Sequence, residues 1–524
     1  MKLADTQDLG SCGIKPVQVQ LLSPAYLNMK KIKLGKLEII VFICGACVMI
    51  LELVGARLLA PYLGTSIYVW ASLIGIILGA LSLGYWLGGR LADRKPEYVY
   101  LAAVILIGAV YIGLIPLFKD VVLRLSALGG IKVGSIISAS FLFIAPSVFL
   151  GMVSPYALRL KIKSLKTSGN TAGNLYALST LGSISGTFLA GFYLIPNFQL
   201  TDILFGIGVA LIFVAFLTHP KKLLPSIIVL VLILLALPVI KLRALNSPFL
   251  VDKDSAYNHI RIYDTKNIKG RPIRILHLEV GPHSGIYLDN LNELLFDYTK
   301  FYRLDDFFNS KINKALMIGG GGYSVPRDFI VRHPKGEIDV VEIDPEVTNL
   351  AKNYFNLEES DRLYIFNEDG RSFLNKTQEK YDVIYNDAFN SSYSVPYELT
   401  TKEALQRMSK ILSDDGVLIV NIISALQGNK AEFFLSEFKT IKSVFPKVYV
   451  FPINNEKIEA VQNVMIVTSK DNGFDFEKKS KETQNEETLE YLKHYLGENL
   501  TTSKHIPILT DNYAPVEYLV GKML

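Results

Sequence analysis

The 524-residue sequence predicts a multi-span α-helical membrane domain, then a soluble α/β domain of the doubly wound type, with a small antiparallel sheet between them. Three observations carry this. Apolar runs of membrane length fill the first half, and charged and apolar residues interleave from about Arg243 onward. From about residue 311, short β-rich runs alternate with helical ones. The averages of 50% hydrophobic and 20% charged residues therefore hide two unlike halves.

Seven candidate spans can be drawn, at about 37–60, 67–89, 98–118, 133–156, 174–196, 201–218 and 223–240. Each is near the ~20 residues that cross ~30 Å of hydrocarbon. Lysine and arginine mark one face. Lys30, Lys31, Lys33 and Lys36 precede span one; Arg90, Arg94 and Lys95 follow span two; Arg159, Lys161, Lys163 and Lys166 follow span four; Lys221 and Lys222 follow span six. By the positive-inside rule these clusters are cytoplasmic, and their spacing fits alternating crossings. An odd seventh span delivers the soluble domain to the far side, whereas a re-entrant seventh segment returns it to the cytoplasm, where a soluble catalytic domain is expected. The sequence leaves this parity open. Inside span one, Glu52 and Arg57 sit at costly depth and read as a loose pair, or as Arg57 reaching for the interface. Gly182 and Gly186 in span five have the spacing that lets two helices approach closely.

The formal charge of +5 and the absence of a basic stripe with interleaved aromatics exclude a nucleic-acid partner. Cys12, Cys44 and Cys47 all precede the soluble half, which excludes disulfides and thiolate metal sites there. His259, His277, His283 and His333 show no ligand spacing, so no metal site is expected. The segment up to Asn28 lacks the basic start and short apolar core of a signal peptide and reads as a tail.

In the soluble half, "HIRIYD", "IRILHLE" and "SGIYLD" read as a small antiparallel sheet, followed by a helical stretch near 291–308. The strands "KALMIGGG", "EIDVVEID", "RLYIFNED", "KYDVIYNDAF" and "DGVLIVNII" then alternate with helical segments, which implies a parallel sheet. "KVYVFPI" and "AVQNVMIVTS" close it as a hairpin. The expected organisation is a tail (1–36), a membrane domain of about seven spans (37–243), a small β subdomain with a linking helix (244–310) and a Rossmann-like nucleoside-binding catalytic domain (311–524).

Four strand ends carry chemistry. Gly319, Gly320 and Gly321 follow the first strand, where bare backbone permits positive φ and close approach of a ligand to main-chain N–H groups. Glu342 ends the next strand, ~20 residues on, where an acid meets ribose hydroxyls. Asp369 and Gly370 follow the third strand and Asp387 the fourth. Together they point to a nucleoside in one crevice. The loop lacks the G-x-G-x-x-G spacing of dinucleotide sites and has no lysine for a triphosphate, so a nucleoside carrying a sulfonium chain fits better. Asp344 before Pro345 reads as a helix N-cap. Tyr323 and Tyr393 read equally as crevice lining or as packing.

This constellation resembles the spermidine synthase family of aminopropyltransferases in its integral-membrane, fused form, over about Ser255 to Leu524. The resemblance implies decarboxylated S-adenosylmethionine as co-substrate, or ordinary S-adenosylmethionine, with no permanently bound cofactor. It also implies a small-molecule amine acceptor such as putrescine and a lipid bilayer around the spans; self-association is left open. It makes Asp387 in "YDVIYNDAF" the base that receives the proton of the attacking amine. Glu342 falls at the ribose position, Asp369 and Gly370 at the adenine position, Asn258 at a nucleoside-contacting glutamine, and Pro396 beside the thioether product. "LTDNYAPVEYL" resembles the C-terminal signature of the fused forms.

The polyamine positions match poorly. Gly322 stands where the family has an acid, Tyr298, Thr299 and Lys300 where it has Tyr-His-Glu, and Asn390 where its gate has a second acid. Tyr298, Asn390 and Asp387 remain as substrate-binding positions, and diamine affinity is expected to be weak. The missing acid at Gly322 also removes discrimination against ordinary S-adenosylmethionine. Three readings follow: an aminopropyltransferase, a methyltransferase on S-adenosylmethionine, or a membrane protein whose nucleoside domain binds without turnover.

Overall fold

The computed structural model describes residues 35–220, 228, 248–388, 395–471, 473–497 and 505–523. Six helices long and apolar enough to cross a membrane come first. They are α1 (Lys36–Leu63), α2 (Ile67–Arg94), α3 (Tyr98–Ala127), α4 (Gly130–Lys161), α5 (Ser168–Leu189), which continues through a π turn and a short helix to Asn197, and α6 (Leu200–Thr218). The seventh apolar run, at 223–240, lies outside the described residues. The helices extend a turn or more beyond most of the apolar cores drawn from sequence, because their ends carry polar residues that reach into the interface.

Along α2 the buried positions are Val69, Leu73, Ile77, Ala80, Gly84, Gly88 and Ala92, one stripe at helical spacing. The opposite face exposes Leu78, Tyr85 and Trp86, as a lipid-facing surface does. Glycine allows the tightest approaches. A Cβ at Gly182 or Gly186 would strike the backbone of α1 at Phe42 or Ala46, so α5 and α1 touch main chain to main chain. Arg57 does not pair with Glu52; its guanidinium leaves the bundle and donates to the carbonyl of Tyr257 in the soluble half.

Four antiparallel strands follow: β1 (Val251–Asp254), β2 (His259–Lys266), β3 (Pro272–Leu278) and β4 (Gly281–Tyr287). Strand β1 was not anticipated; its sequence, Val-Asp-Lys-Asp, has none of the apolar alternation that marks a strand. The larger sheet has seven strands in the order β10-β11-β9-β8-β5-β6-β7. Strands β5 (Lys314–Ile318), β6 (Glu337–Val341), β7 (Leu363–Phe366), β8 (Tyr381–Asn386) and β9 (Leu412–Ser424) pair in parallel, and β10 (Lys447–Pro452) and β11 (Gln462–Ser469) close the edge antiparallel. The central strands are buried on both faces by two separate apolar clusters, which is why they read as continuous hydrophobic runs. The chain winds outward from β5 through β6 to β7, then returns to β8 on the other side. The reversal therefore falls between β5 and β8, where a doubly wound sheet opens its ligand crevice.

Candidate active site

The parallel register sets Ile318 of β5 opposite Asn386 of β8, so the next residues, Gly319 and Asp387, emerge side by side. The Asp387 N–H donates to the Ile318 carbonyl at 3.0 Å. Gly319 has φ 96°, and a Cβ there would run into the Asp387 carbonyl. Gly321 also has positive φ, at 52°. The glycine run is thus needed to turn β5 sharply past the end of β8 and into helix α7 (Ser324–Arg332).

The N–H groups of Gly319, Gly320 and Gly321 are already partnered, the first by the Val341 carbonyl at 2.9 Å. Glu342 accepts from the Gly320 N–H at 3.0 Å and the Gly321 N–H at 3.1 Å through one oxygen, and from the Asp344 N–H at 3.0 Å through the other. The expectation that a ligand rests on free N–H groups of this loop is corrected: at Gly320 and Gly321 Glu342 rests there instead. A carboxylate offers about four acceptor sites. With three used by backbone, about one remains open to the cavity. Burial raises the Glu342 pKa, and the three N–H groups work against that rise.

Asp344 caps helix α8 (Pro345–Tyr354), accepting from the Glu346 N–H at 3.0 Å. Its second oxygen accepts from Ser255 Oγ at 2.5 Å and Asn258 Nδ2 at 3.0 Å, which ties the segment between β1 and β2 to the larger sheet. Asp369 caps helix α9 (Gly370–Lys376) through the Ser372 N–H at 2.7 Å. A Cβ at Gly370 would press Ile318, so the helix start packs directly on β5.

A cavity of about 470 Å³ opens at this reversal point. Asn258, Gly319, Gly320, Gly321, Glu342, Asp369, Gly370, Tyr298, Asp387 and Pro396, all singled out from sequence, line it. Asn390 and Tyr393 lie outside the described residues, as does Phe389. Tyr323 does not line the cavity: its ring is buried and its hydroxyl bonds Thr348 Oγ1 at 2.8 Å, which makes it packing.

At the end of β8, Asp387 Oδ1 accepts from Asn421 Nδ2 at 2.8 Å, and Asn421 Oδ1 accepts from Asn463 Nδ2 at 3.0 Å. Burial pushes the Asp387 carboxyl up to about 6, opposed by Asn421 and by the phenols of Tyr302 and Tyr298 beside it. Asn421, Asn463 and Tyr302 were missed from sequence. The available signal was a lone amide among the apolar residues of "DGVLIVNII", and another in "AVQNVMIVTS". Elsewhere, His333 clusters with Asp305 and Asp306, but Arg332 already pairs with both carboxylates.

The fold and this cleft define an α/β domain of Rossmann type, with a cavity at its strand reversal, behind a bundle of apolar helices. Residues 304–478 match the family model described as "Spermine/spermidine synthase domain". The chain is 34% identical over 166 residues to a polyamine aminopropyltransferase of Vibrio vulnificus, covering 31% of this chain and 54% of that one; it thus spans about half that relative's length. It is 24% identical over 458 residues to polyamine aminopropyltransferase 2 of Aquifex aeolicus, covering 80% and 84%. A Bos taurus protein named eEF1A lysine and N-terminal methyltransferase is 32% identical over 151 residues, covering 27% of this chain and 21% of its own.

Proposed function

We propose that the protein is a membrane-bound aminopropyltransferase of the spermidine synthase type. It moves an aminopropyl group from decarboxylated S-adenosylmethionine to an amine, with putrescine as the reference acceptor. The single observation that supports this best is Asp387, a carboxyl held by Asn421 at 2.8 Å and pushed up to about 6, on the wall of a nucleoside-sized cavity.

In this reaction the acceptor nitrogen attacks the methylene carbon beside the sulfonium. The N–C bond forms as the C–S bond breaks, and the C–S electron pair goes to sulfur, leaving methylthioadenosine as a neutral thioether. Asp387 takes the nitrogen's proton; its raised pKa narrows the gap to the ammonium it must deprotonate. The sulfonium is already activated, so alignment of the two reactants supplies most of the rate. Glu342, Asp369, Gly370 and Asn258 hold the nucleoside, Pro396 borders the sulfur, and Tyr298 borders the acceptor.

A second reading, methyl transfer from ordinary S-adenosylmethionine, is favoured by Gly322. A Cβ there would approach Ser284 Oγ to 2.6 Å, and glycine supplies no acid to repel a donor carboxylate. Purified protein offered each donor with a panel of amines separates the readings. Methylthioadenosine supports the first and S-adenosylhomocysteine the second. Nucleoside binding without either product removes both and leaves a binding protein.

A further inference from the structure

The soluble domain touches the helix bundle at one end only, among the described residues. Glu517 accepts from the Ile67 N–H at the start of α2, at 2.5 Å. Asp254 accepts from the Leu200 N–H at the start of α6, at 3.4 Å. Arg57, near the end of α1, reaches the Tyr257 carbonyl. The linkers on this end are Gly-Thr-Ser (64–66), Leu-Gly (128–129) and Phe-Gln (198–199), without a single lysine or arginine. The cations toward it, Arg57, Lys119, Arg124 and Lys132, lie within helices; Arg57 is held by the Tyr257 carbonyl, and Asp120 and Asp202 accompany the others.

The opposite end is the basic one. Lys36 begins α1, Arg90, Arg94 and Lys95 end α2, Arg159 and Lys161 sit in the last turn of α4, and Lys163 and Lys166 follow it. Contacts group them in space: Arg159 pairs with Asp93 at 2.9 Å, Lys161 with Glu38, and Lys36 Nζ donates to the Thr218 carbonyl at 2.5 Å. That last bond also places the end of α6 on the basic face, while Asp254 lies beside Leu200 on the other. At 1.5 Å per residue the 19 residues of α6 span ~28 Å. The apolar run at 223–240, outside the described residues, has by its sequence the length for one crossing.

We infer that the soluble domain faces away from the cytoplasm, so that its cleft takes its acceptor, an amine, from the extracytoplasmic side. The basic end is cytoplasmic by the positive-inside rule, and the domain docks on the end opposite to it. The expectation of a cytoplasmic catalytic domain is thereby reversed. The topology is independent of the transferase reading, and only the nature of the acceptor rests on it. A sulfonium nucleoside made in the cytoplasm reaches this cleft only by crossing the bilayer.

Single cysteines test this in the full chain. In a Cys12→Ser background, with Cys44 and Cys47 buried in the bundle, Ile268→Cys is placed at the fully exposed β2–β3 turn and Leu165→Cys on the basic loop. Spheroplasts are treated with a membrane-impermeant maleimide before and after permeabilisation. The expected result is that Ile268→Cys labels before permeabilisation and Leu165→Cys only after it. Labelling in the reverse order, or of Ile268→Cys only after permeabilisation, overturns the inference. Alkaline phosphatase fused after Leu524 of the unsubstituted chain gives a second readout: activity in intact cells is expected, and an inactive fusion present in full amount overturns the topology. Neither readout uses a donor, so a protein inactive on every donor can still pass.

Discussion

The two ends of the cleft are built from different material. At the end proposed to hold the nucleoside, carboxylates are consumed by the protein's own backbone: Glu342 receives three N–H groups, and Asp344 and Asp369 each cap a helix. At the transfer end one titrating group, Asp387, is supported by side chains alone, with Asn421 behind it and Tyr298 and Tyr302 beside it. Backbone-anchored acids fix shape, while a side-chain-anchored acid can gain and lose a proton without moving the strands. Substitutions at the two ends should therefore separate affinity from turnover.

Asp387→Asn is the sharpest break. It keeps the shape and the contact with Asn421 but removes the base, and general-base contributions are about 10²- to 10⁴-fold. Turnover in a product assay should fall by that factor, while nucleoside affinity by calorimetry stays nearly intact. Unchanged turnover removes Asp387 from the mechanism. Glu342→Gln acts on the other side of the comparison. The amide turns an –NH₂ toward either the Gly320/Gly321 pair or Asp344, leaving a buried donor without an acceptor at a cost of about 1–3 kcal/mol. Nucleoside affinity should weaken ~5- to 150-fold, with a lower melting temperature and a smaller change in kcat. An equal loss in kcat alone would erase the distinction between the two ends.

The sequence made the ends of the strands legible because the parallel strands β5 to β8 finish in a short apolar run that gives way to polar residues. Gly319, Glu342, Asp369 and Asp387 stand at those stops and do come together. What it could not show is which partner each acid chooses. Glu342 looks free for a ligand in one dimension, and only the β5–β6 register brings it under the Gly320 and Gly321 N–H groups. Asn421 and Asn463 act across neighbouring antiparallel strands, a pairing that depends on β11 inserting beside β9 rather than at the far edge. In the membrane half, small-residue spacing did reveal the α1–α5 contact. The docking of Arg57 on Tyr257 joins residues 200 positions apart, and no local pattern encodes it.

The pH profile tests the transfer end more finely. Below pH 6 Asp387 carries a proton and cannot accept one, so kcat/KM should fall about tenfold per unit on the acid side, with a limb near pH 6. The Asn421 N–H favours the charged form, so Asn421→Leu should raise the pKa and move the limb to higher pH by about one unit. A limb that stays in place shows that another group sets the profile. A limb that moves down contradicts the direction of the hydrogen bond.

The smallest expected effect concerns the acceptor. Among the described residues lining the cavity the carboxylates are Glu342, Asp369 and Asp387, and the first two serve backbone N–H groups. The cavity wall also includes Thr299, Ile423, Val461, Gln462 and Asn463, all uncharged. The segment 389–394 reads Phe-Asn-Ser-Ser-Tyr-Ser and brings no acid. The second ammonium of a diamine then finds no counter-charge in the cleft, whereas a partly buried carboxylate contact would contribute a few kcal/mol. Butylamine and putrescine should therefore differ in kcat/KM by no more than about threefold, since less than ~0.7 kcal/mol separates them. A hundredfold preference for putrescine, ~2.7 kcal/mol, would mean that an acid from outside this wall reaches the acceptor, and the contrast between the two ends would have to be redrawn.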